Sequence, residues 1–262
     1  MKKYKLFLLA PTFAIISCGG SSEEIPTTTD STNIEIVKEV KQTVEFESLD
    51  SLLITADLYE IDPTKPCIVL CHQARFCKFE YAGVAERFNS LGFNCLAIDQ
   101  RSGGPICNQR NETWLRAVEQ NKPVDYLDAE QDIAASINYA YEKYKQPVII
   151  LGSSYSSTLV IYQAIENDKV SAVISFSPGN YFAEQRGDLI PQLINFEKPF
   201  FFTAAQHEIP YVREIVIGRK RTDNQIVFSP VGEGAHGARV LWDTQQDGEE
   251  YWIALEDFLK KL

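Results

Sequence analysis

Histidine is scarce in this chain: of 262 residues, only His72, His207 and His236 are of that type. They show no paired spacing, and there is no C-x-x-C, so a zinc centre has no support and no metal or cofactor is expected. No segment repeats. No apolar run is long enough to span a bilayer comfortably; the stretch from Leu6 to Ile16 is short and interrupted by Pro11. Basic residues are outnumbered, 25 Lys and Arg against 36 Asp and Glu, and the formal net charge is −11. That balance argues against nucleic acid as a partner and against a domain that hugs anionic lipid.

The front of the chain has a different character. Lys2, Lys3 and Lys5 precede the Leu6–Ile16 run, and Ser17 and Cys18 follow it. A basic start, a short apolar core and a small residue at the cut describe a secretory signal. The segment Ile15-Ile16-Ser17-Cys18 resembles the bacterial lipobox. That resemblance implies cleavage before Cys18 and a diacylglyceryl group on its thiol; the alternative is a plain signal peptide in which Cys18 is incidental. Two or three acyl chains anchor stably where one does not. Gly19 to Asn33, GGSSEEIPTTTDSTN, has almost no apolar residues and is expected to be a flexible tether. The expected organisation is therefore a signal over 1–17, a tether over 18–34 and one domain over 35–262. The expected location is the bacterial cell envelope, lipid-anchored, at the outer membrane. The domain is long enough for a sizeable core and is expected to be a monomer.

Within the domain, apolar runs alternate with helical patterns. Lys41–Phe46 and Ser51–Tyr59 suit an opening hairpin. Cys67–Cys71 and Val148–Leu151 are all-apolar and suit strands buried on both faces, and Phe93–Ile98 suits a third buried strand. Cys67, Cys71 and Cys95 in such strands are expected to be buried small hydrophobes. Val170–Phe176, Phe200–Ala204 and Gln225–Phe228 complete the expected set. Ala82–Leu91, Leu127–Tyr144 and Leu255–Leu262 have helical character, and Arg101–Asp125 is expected to be irregular. This alternation predicts an α/β fold: a mostly parallel twisted sheet of about eight strands, helices on both faces and no large cap.

In such sheets the working groups gather beyond the carboxyl ends of the strands. Those ends carry His72-Gln73-Ala74, Asp99, Ser154, Ser177, Gln206-His207-Glu208 and the loop with His236. The stretch from Val148 to Ile165 turns from strand to helix through Gly152-Ser153-Ser154-Tyr155-Ser156. A sharp turn of this kind lifts its middle serine above a helix N-terminus, and small residues on either side let its two arms pass closely.

On these residues the domain resembles the α/β-hydrolase family over nearly all of its length. Gly152-x-Ser154-x-Ser156 is similar to the family's G-x-S-x-G elbow, with serine at the last place. AAQHE, ending in Glu208, is similar to G-x-x-D, with alanine for glycine and glutamate for aspartate. GEGAHG, holding His236, looks like the histidine loop. The resemblance implies Ser154 as nucleophile, His236 as base and Glu208 as the acid that orients it, with Glu184 and Asp188 as alternative acids. An oxyanion hole would use the N–H of Tyr155 and that of Ala74 or, next, Gln73; glutamine at that place resembles the dienelactone-hydrolase type. His72 is expected to hold its loop, and Asp99 and Arg101 to tie loops together. Trp114 and Cys107 would form one pocket wall, and Tyr181, Phe182 and Leu189 the other. An oxidising compartment permits a bridge between Cys77 and Cys107, with a free pair as the alternative.

The implied activity is that of a serine hydrolase acting on a small-molecule carboxylic ester or acyl substrate. A peptidase or acyltransferase using the same triad is an alternative. So is a non-catalytic ligand- or partner-binding lipoprotein, suggested by Ser156 for glycine and Glu208 for aspartate.

Overall fold

Pro66 and Pro147 each stand just before a short apolar strand in the middle of the sheet. Proline cannot donate to a ladder, so it sits at a strand's start and not inside it. The computed structural model describes residues 40–104, 109–219 and 222–262. The expected signal, the tether, Cys18 and Cys107 lie outside the described residues.

Eight strands form one sheet. They are β1 (Val40–Glu47), β2 (Leu53–Glu60), β3 (Cys67–Cys71), β4 (Asn94–Ile98), β5 (Val148–Ser153), β6 (Val170–Phe176), β7 (Phe200–Thr203) and β8 (Gln225–Val227). Their spatial order is β1-β2-β4-β3-β5-β6-β7-β8. β2 runs antiparallel to β1 and β4, and every other pairing is parallel. The helices are α1 (Ala82–Ser90), α2 (Glu112–Glu119), α3 (Glu130–Tyr144), α4 (Tyr155–Glu166), α5 (Ala183–Arg186), α6 (Leu189–Leu193), α7 (Ile209–Ile215) and α8 (Gly248–Leu259).

Every residue of β3, β4 and β5 is buried, because helices cover both faces. Side chains alternate across a strand. Val69, Cys71 and Ile150 therefore pack with Ile133 and Ile137 of α3 and Leu159 of α4. Ile68, Leu70, Ile149 and Leu151 point the other way, to Phe88 of α1 and Trp252 and Phe258 of α8. Cys67 and Cys71 are free thiols, and both are buried, as is Cys95. Burial pushes the Cys67 and Cys71 thiols well above their usual range, so they act as small apolar groups. Cys77 is disulfide-bonded.

Three expectations need correction. The Arg101–Asp125 excursion is not irregular throughout: it contains α2, capped by Asn111, whose Oδ1 accepts from Trp114 N at 2.8 Å. Such a cap stabilises a helix by about 1 kcal/mol. The last helix starts at Gly248, seven residues earlier than Leu255, because Tyr251 and Trp252 already face the core. Phe182 and Leu189 are core residues, 8% and 0% exposed, and do not wall a pocket.

Asp99 and Arg101 do tie loops. Asp99 accepts from Lys78 N at 2.8 Å, Lys78 Nζ at 3.1 Å and Glu112 N at 3.0 Å. Arg101 is fully buried and donates to Asp132 of α3 and to Asp50 in the β1–β2 turn. The Arg101 pairs hold the β1–β2 turn and the loop after β4 against α3, and the Asp99 bonds tie that loop to the 3-10 turn at Lys78 and to the start of α2.

Candidate active site

β5 ends at Ser153 and α4 begins at Tyr155, leaving a single residue to reverse the chain. Ser154 makes that turn at φ 58°, ψ −125°. A positive φ is costly for a residue with a Cβ and persists only where its surroundings impose it. Three contacts impose it here. Ser154 N donates to Phe176 O at 2.9 Å. Ser156 Oγ accepts from Ser153 N at 2.9 Å, and it also lies 2.8 Å from Cys71 O at the end of β3. The serine in the elbow's last place is therefore a tie between two strands. Only the strand-side arm needs glycine, since a Cβ on Gly152 would meet Ser156 O at 2.5 Å.

Ser154 Oγ lies 2.7 Å from His236 Nε2, and His236 Nδ1 lies 2.6 Å from Glu208 Oε1. Burial pulls the Glu208 carboxyl up, but hydrogen bonds from His236 and Ser177 outweigh it and hold the group below its usual range. A carboxylate so held only accepts. His236 Nδ1 must then carry the proton, which leaves Nε2 free to accept from the Ser154 hydroxyl. Glu208 reaches the ring from the turn between β7 and α7, and His236 from the loop after β8. The structure thus brings Ser154, Glu208 and His236 together from three strand ends. Of the alternative acids, Asp188 caps α6 by accepting from Ile190 N at 2.8 Å. Glu184 is exposed on α5.

Ser177 is a residue that strand-end position flags but motif comparison leaves without a role. It follows β6 at φ 58°. Its hydroxyl donates to Glu208 Oε2 at 2.7 Å and accepts from Gly237 N at 2.9 Å. It links the acid to the residue next to His236. In Ser177→Ala, Glu208 loses a donor and the Gly237 N–H an acceptor. We expect kcat to fall about tenfold and stability to fall by about 1–3 kcal/mol. Losing a donor raises the Glu208 pKa, so the low-pH loss of activity should begin at higher pH; kcat against pH for both proteins checks this.

The turn after β3 contradicts one expectation. Gln73 N donates to Glu80 Oε2 at 2.7 Å, so it points away from any substrate oxygen and is not an oxyanion donor. The next peptide is held differently. His72 Nε2 accepts from Gln100 N at 2.9 Å, which puts the ring proton on Nδ1, 2.8 Å from Gln73 O. Phe76 N donates to the same oxygen at 3.2 Å. With that carbonyl fixed, the Ala74 N–H of the same planar peptide is aimed the opposite way. Burial lowers the His72 pKa to about 4, so the ring stays neutral in this role. Tyr155, at the first position of α4, has no carbonyl four residues back to receive its N–H. Its side chain is anchored: the hydroxyl accepts from Gln100 Nε2 at 2.6 Å and pairs with Ser102 Oγ.

A cavity of about 470 Å³ opens beside Glu208, walled by Ser177, Asn180, Tyr181, His207 and Tyr211 among others. Trp114 faces a different hollow of about 320 Å³, with Gly104, Asn111 and Leu115, which includes no side chain of Ser154, Glu208 or His236. Asn111 is 2% exposed and its amide nitrogen is bonded to Gln100 O at 3.0 Å, so the N-x-T triplet there is a helix cap and not a surface acceptor for sugar. Among the described residues, no group of acids, histidines and cysteines is arranged to hold a metal, and no helix is long and apolar enough to cross a membrane.

With sheet order and elbow in place, the chain has the α/β-hydrolase fold. An esterase of Pyrococcus furiosus superposes with a TM-score of 0.66 at 18% identity, covering 86% of this chain and 93% of that one. A dienelactone hydrolase of Anabaena variabilis gives 0.62 at 12% identity, covering 85% of this chain and 98% of that one. An acyltransferase of Aspergillus calidoustus is 27% identical over 141 residues, which is 53% of this chain and 43% of that protein's length. No family model matches the chain.

Proposed function

We propose that this protein is a serine hydrolase that cleaves carboxylic esters through an acyl-enzyme. The observation that carries the reading is the run from Ser154 Oγ to His236 Nε2 at 2.7 Å and from His236 Nδ1 to Glu208 Oε1 at 2.6 Å. A serine hydroxyl is a weak nucleophile until a base takes its proton. His236 takes it as the Ser154 oxygen bonds to the acyl carbon, and Glu208 steadies the imidazolium. The oxyanion is received by the N–H groups of Tyr155 and Ala74. The ester C–O bond then breaks, the leaving oxygen takes the proton from His236, and water repeats the sequence on the acyl-enzyme. The cavity beside Glu208 would receive part of the substrate. The esterase and dienelactone hydrolase neighbours support this class of chemistry.

The two departures from the familiar motif no longer favour a non-catalytic role. Ser156 turns its hydroxyl inward to Cys71 O, and Glu208 reaches within 2.6 Å of His236 Nδ1. The acyltransferase relative favours one variation, in which an acceptor other than water takes the acyl group from Ser154.

A fluorophosphonate probe and a series of p-nitrophenyl esters test the reading. The wild type and Ser156→Ala should be labelled and Ser154→Ala should not, with p-nitrophenol released in a burst. A folded wild type that neither labels nor turns over any ester would end the proposal. Product carrying an added alcohol acceptor in place of water would favour acyl transfer.

A further inference from the structure

We propose that Glu80 is a positioning residue, a carboxylate sealed behind the candidate site that locks the turn carrying the Ala74 oxyanion donor to the elbow and to the His236 loop. The inference rests on the acyl-enzyme reading above and deepens it. Glu80 lies in the 3-10 turn before α1 and is 2% exposed. Its Oε2 accepts from Gln73 N at 2.7 Å and its Oε1 from Gln73 Nε2 at 3.3 Å. Both ends of Gln73 are thus held by one carboxylate. The Ser153 hydroxyl lies beside the same carboxylate and steadies its charge. Ser153 is the residue before the nucleophile, and its Oγ accepts from Ala238 N, two residues after His236, at 2.8 Å. From below, Trp242 Nε1 donates to the Glu80 carbonyl at 2.7 Å, fixing the 3-10 turn itself. Three segments far apart in sequence therefore meet at one buried acid, and each carries a piece of the proposed machinery.

This matters because an oxyanion donor must be aimed at one point to within a fraction of an ångström. The Gln73 peptide is the lever for the Ala74 peptide next to it. Glu80 holds that lever only as an acceptor on both oxygens. Once protonated, one oxygen becomes a donor and can no longer accept from Gln73, so the turn loses one of its two ties. Burial pushes the carboxyl up to about 7, against the opposing hydrogen bonds from Gln73 and Ser153 and the charge of Arg239. Other titratable groups facing it are Cys71 at the end of β3, its neighbour Tyr81 and Tyr155 of α4, each with its pKa raised, first by burial and then by nearby groups that include the Glu80 charge.

The geometry therefore calls for two deprotonations on the acid side of the rate profile. His236 must be neutral to accept the Ser154 proton, and Glu80 must be ionised to hold the turn. In the wild type, log kcat/KM for a p-nitrophenyl ester should rise with a slope above one over the pH range in which Glu80 ionises. Glu80→Gln keeps one acceptor for the Gln73 N–H and so keeps the turn's outline. Its slope should drop to one, and its kcat at pH 8 should fall by about 10- to 100-fold with KM changed less than about threefold. A wild-type slope of one would overturn the proposal without recourse to any variant. So would Glu80→Gln with a wild-type kcat and profile. Absence of turnover at every pH would instead remove the hydrolase reading on which it rests, and the two failures are distinct.

Discussion

His236→Ala should lose about 10⁴- to 10⁶-fold in kcat, and the double variant Ser154→Ala with His236→Ala should be hardly slower than either single one. The nucleophile and its base act as a unit. Without His236 the Ser154 hydroxyl keeps its proton; without Ser154 the ring has no proton to take. Each deletion removes the same step, so their effects do not add. At about 1.4 kcal/mol per tenfold, either loss is about 5–8 kcal/mol of transition-state stabilisation. Glu208→Gln should cost less, about 10²- to 10⁴-fold, because the amide keeps one oxygen to accept from His236 Nδ1 and can donate to the Ser177 hydroxyl, which lies 2.7 Å from Glu208 Oε2 in the wild type. Single-turnover rates for the four proteins on one p-nitrophenyl ester check the pattern. Additive losses would mean that Ser154 and His236 serve separate steps.

How much of this was legible in the sequence differs by kind of contact. Strands buried on both faces announce themselves, because burial on both sides demands an unbroken apolar run. Cys67–Cys71 is legible to its last residue for that reason. Short amphipathic pieces at the surface do not announce themselves. α2 and α7 are hard to see because eight and seven residues give a helical period too little room. The start of α8 is hidden because Gly248-Glu249-Glu250 looks like loop, although Gly248 is itself buried and Tyr251 and Trp252 follow it into the core.

The candidate site divides in the same way. Ser154, Glu208 and His236 could be picked out because a parallel sheet delivers all its strand ends to one rim, and few of those ends carry reactive side chains. The direction of a single N–H could not. Whether Gln73 or Ala74 faces the substrate depends on a peptide plane set by Glu80, seven residues on, and by His72, whose tautomer is set in turn by Gln100. Ser177 stood at a strand end but had no motif to give it a partner. Glu80 had not even that: a lone glutamate before a helix looks like a solvated first-turn charge, and only its 2% exposure says otherwise.

Gly152→Ala should be severely damaging, although it adds only one carbon. The new Cβ would lie 2.5 Å from Ser156 O, 2.7 Å from Ser156 C and 2.7 Å from Ser157 Cα. All three are backbone atoms in the first turn of α4, so no side chain can swing aside. Either β5 shifts in the middle of the sheet, where it pairs with β3 and β6, or α4 lifts away from it. Overpacking a dense core typically costs about 1–3 kcal/mol, and a clash with backbone on both sides belongs at or above the upper end. Lifting α4 also carries off Ser154 and the Tyr155 N–H together, so what remains folded should label with the fluorophosphonate at least about 100-fold more slowly. Ser156→Gly, at the other arm of the same turn, makes the contrast. It adds no atom and loses the tie to Cys71 O and Ser153 N, so it should cost about 1–3 kcal/mol while Ser154 keeps most of its labelling rate. Urea melts and labelling rates of the two variants separate the cases. A Gly152→Ala protein with wild-type stability and labelling would mean that the elbow is looser than its contacts require, and that the φ of 58° at Ser154 is not held by close passage of its two arms.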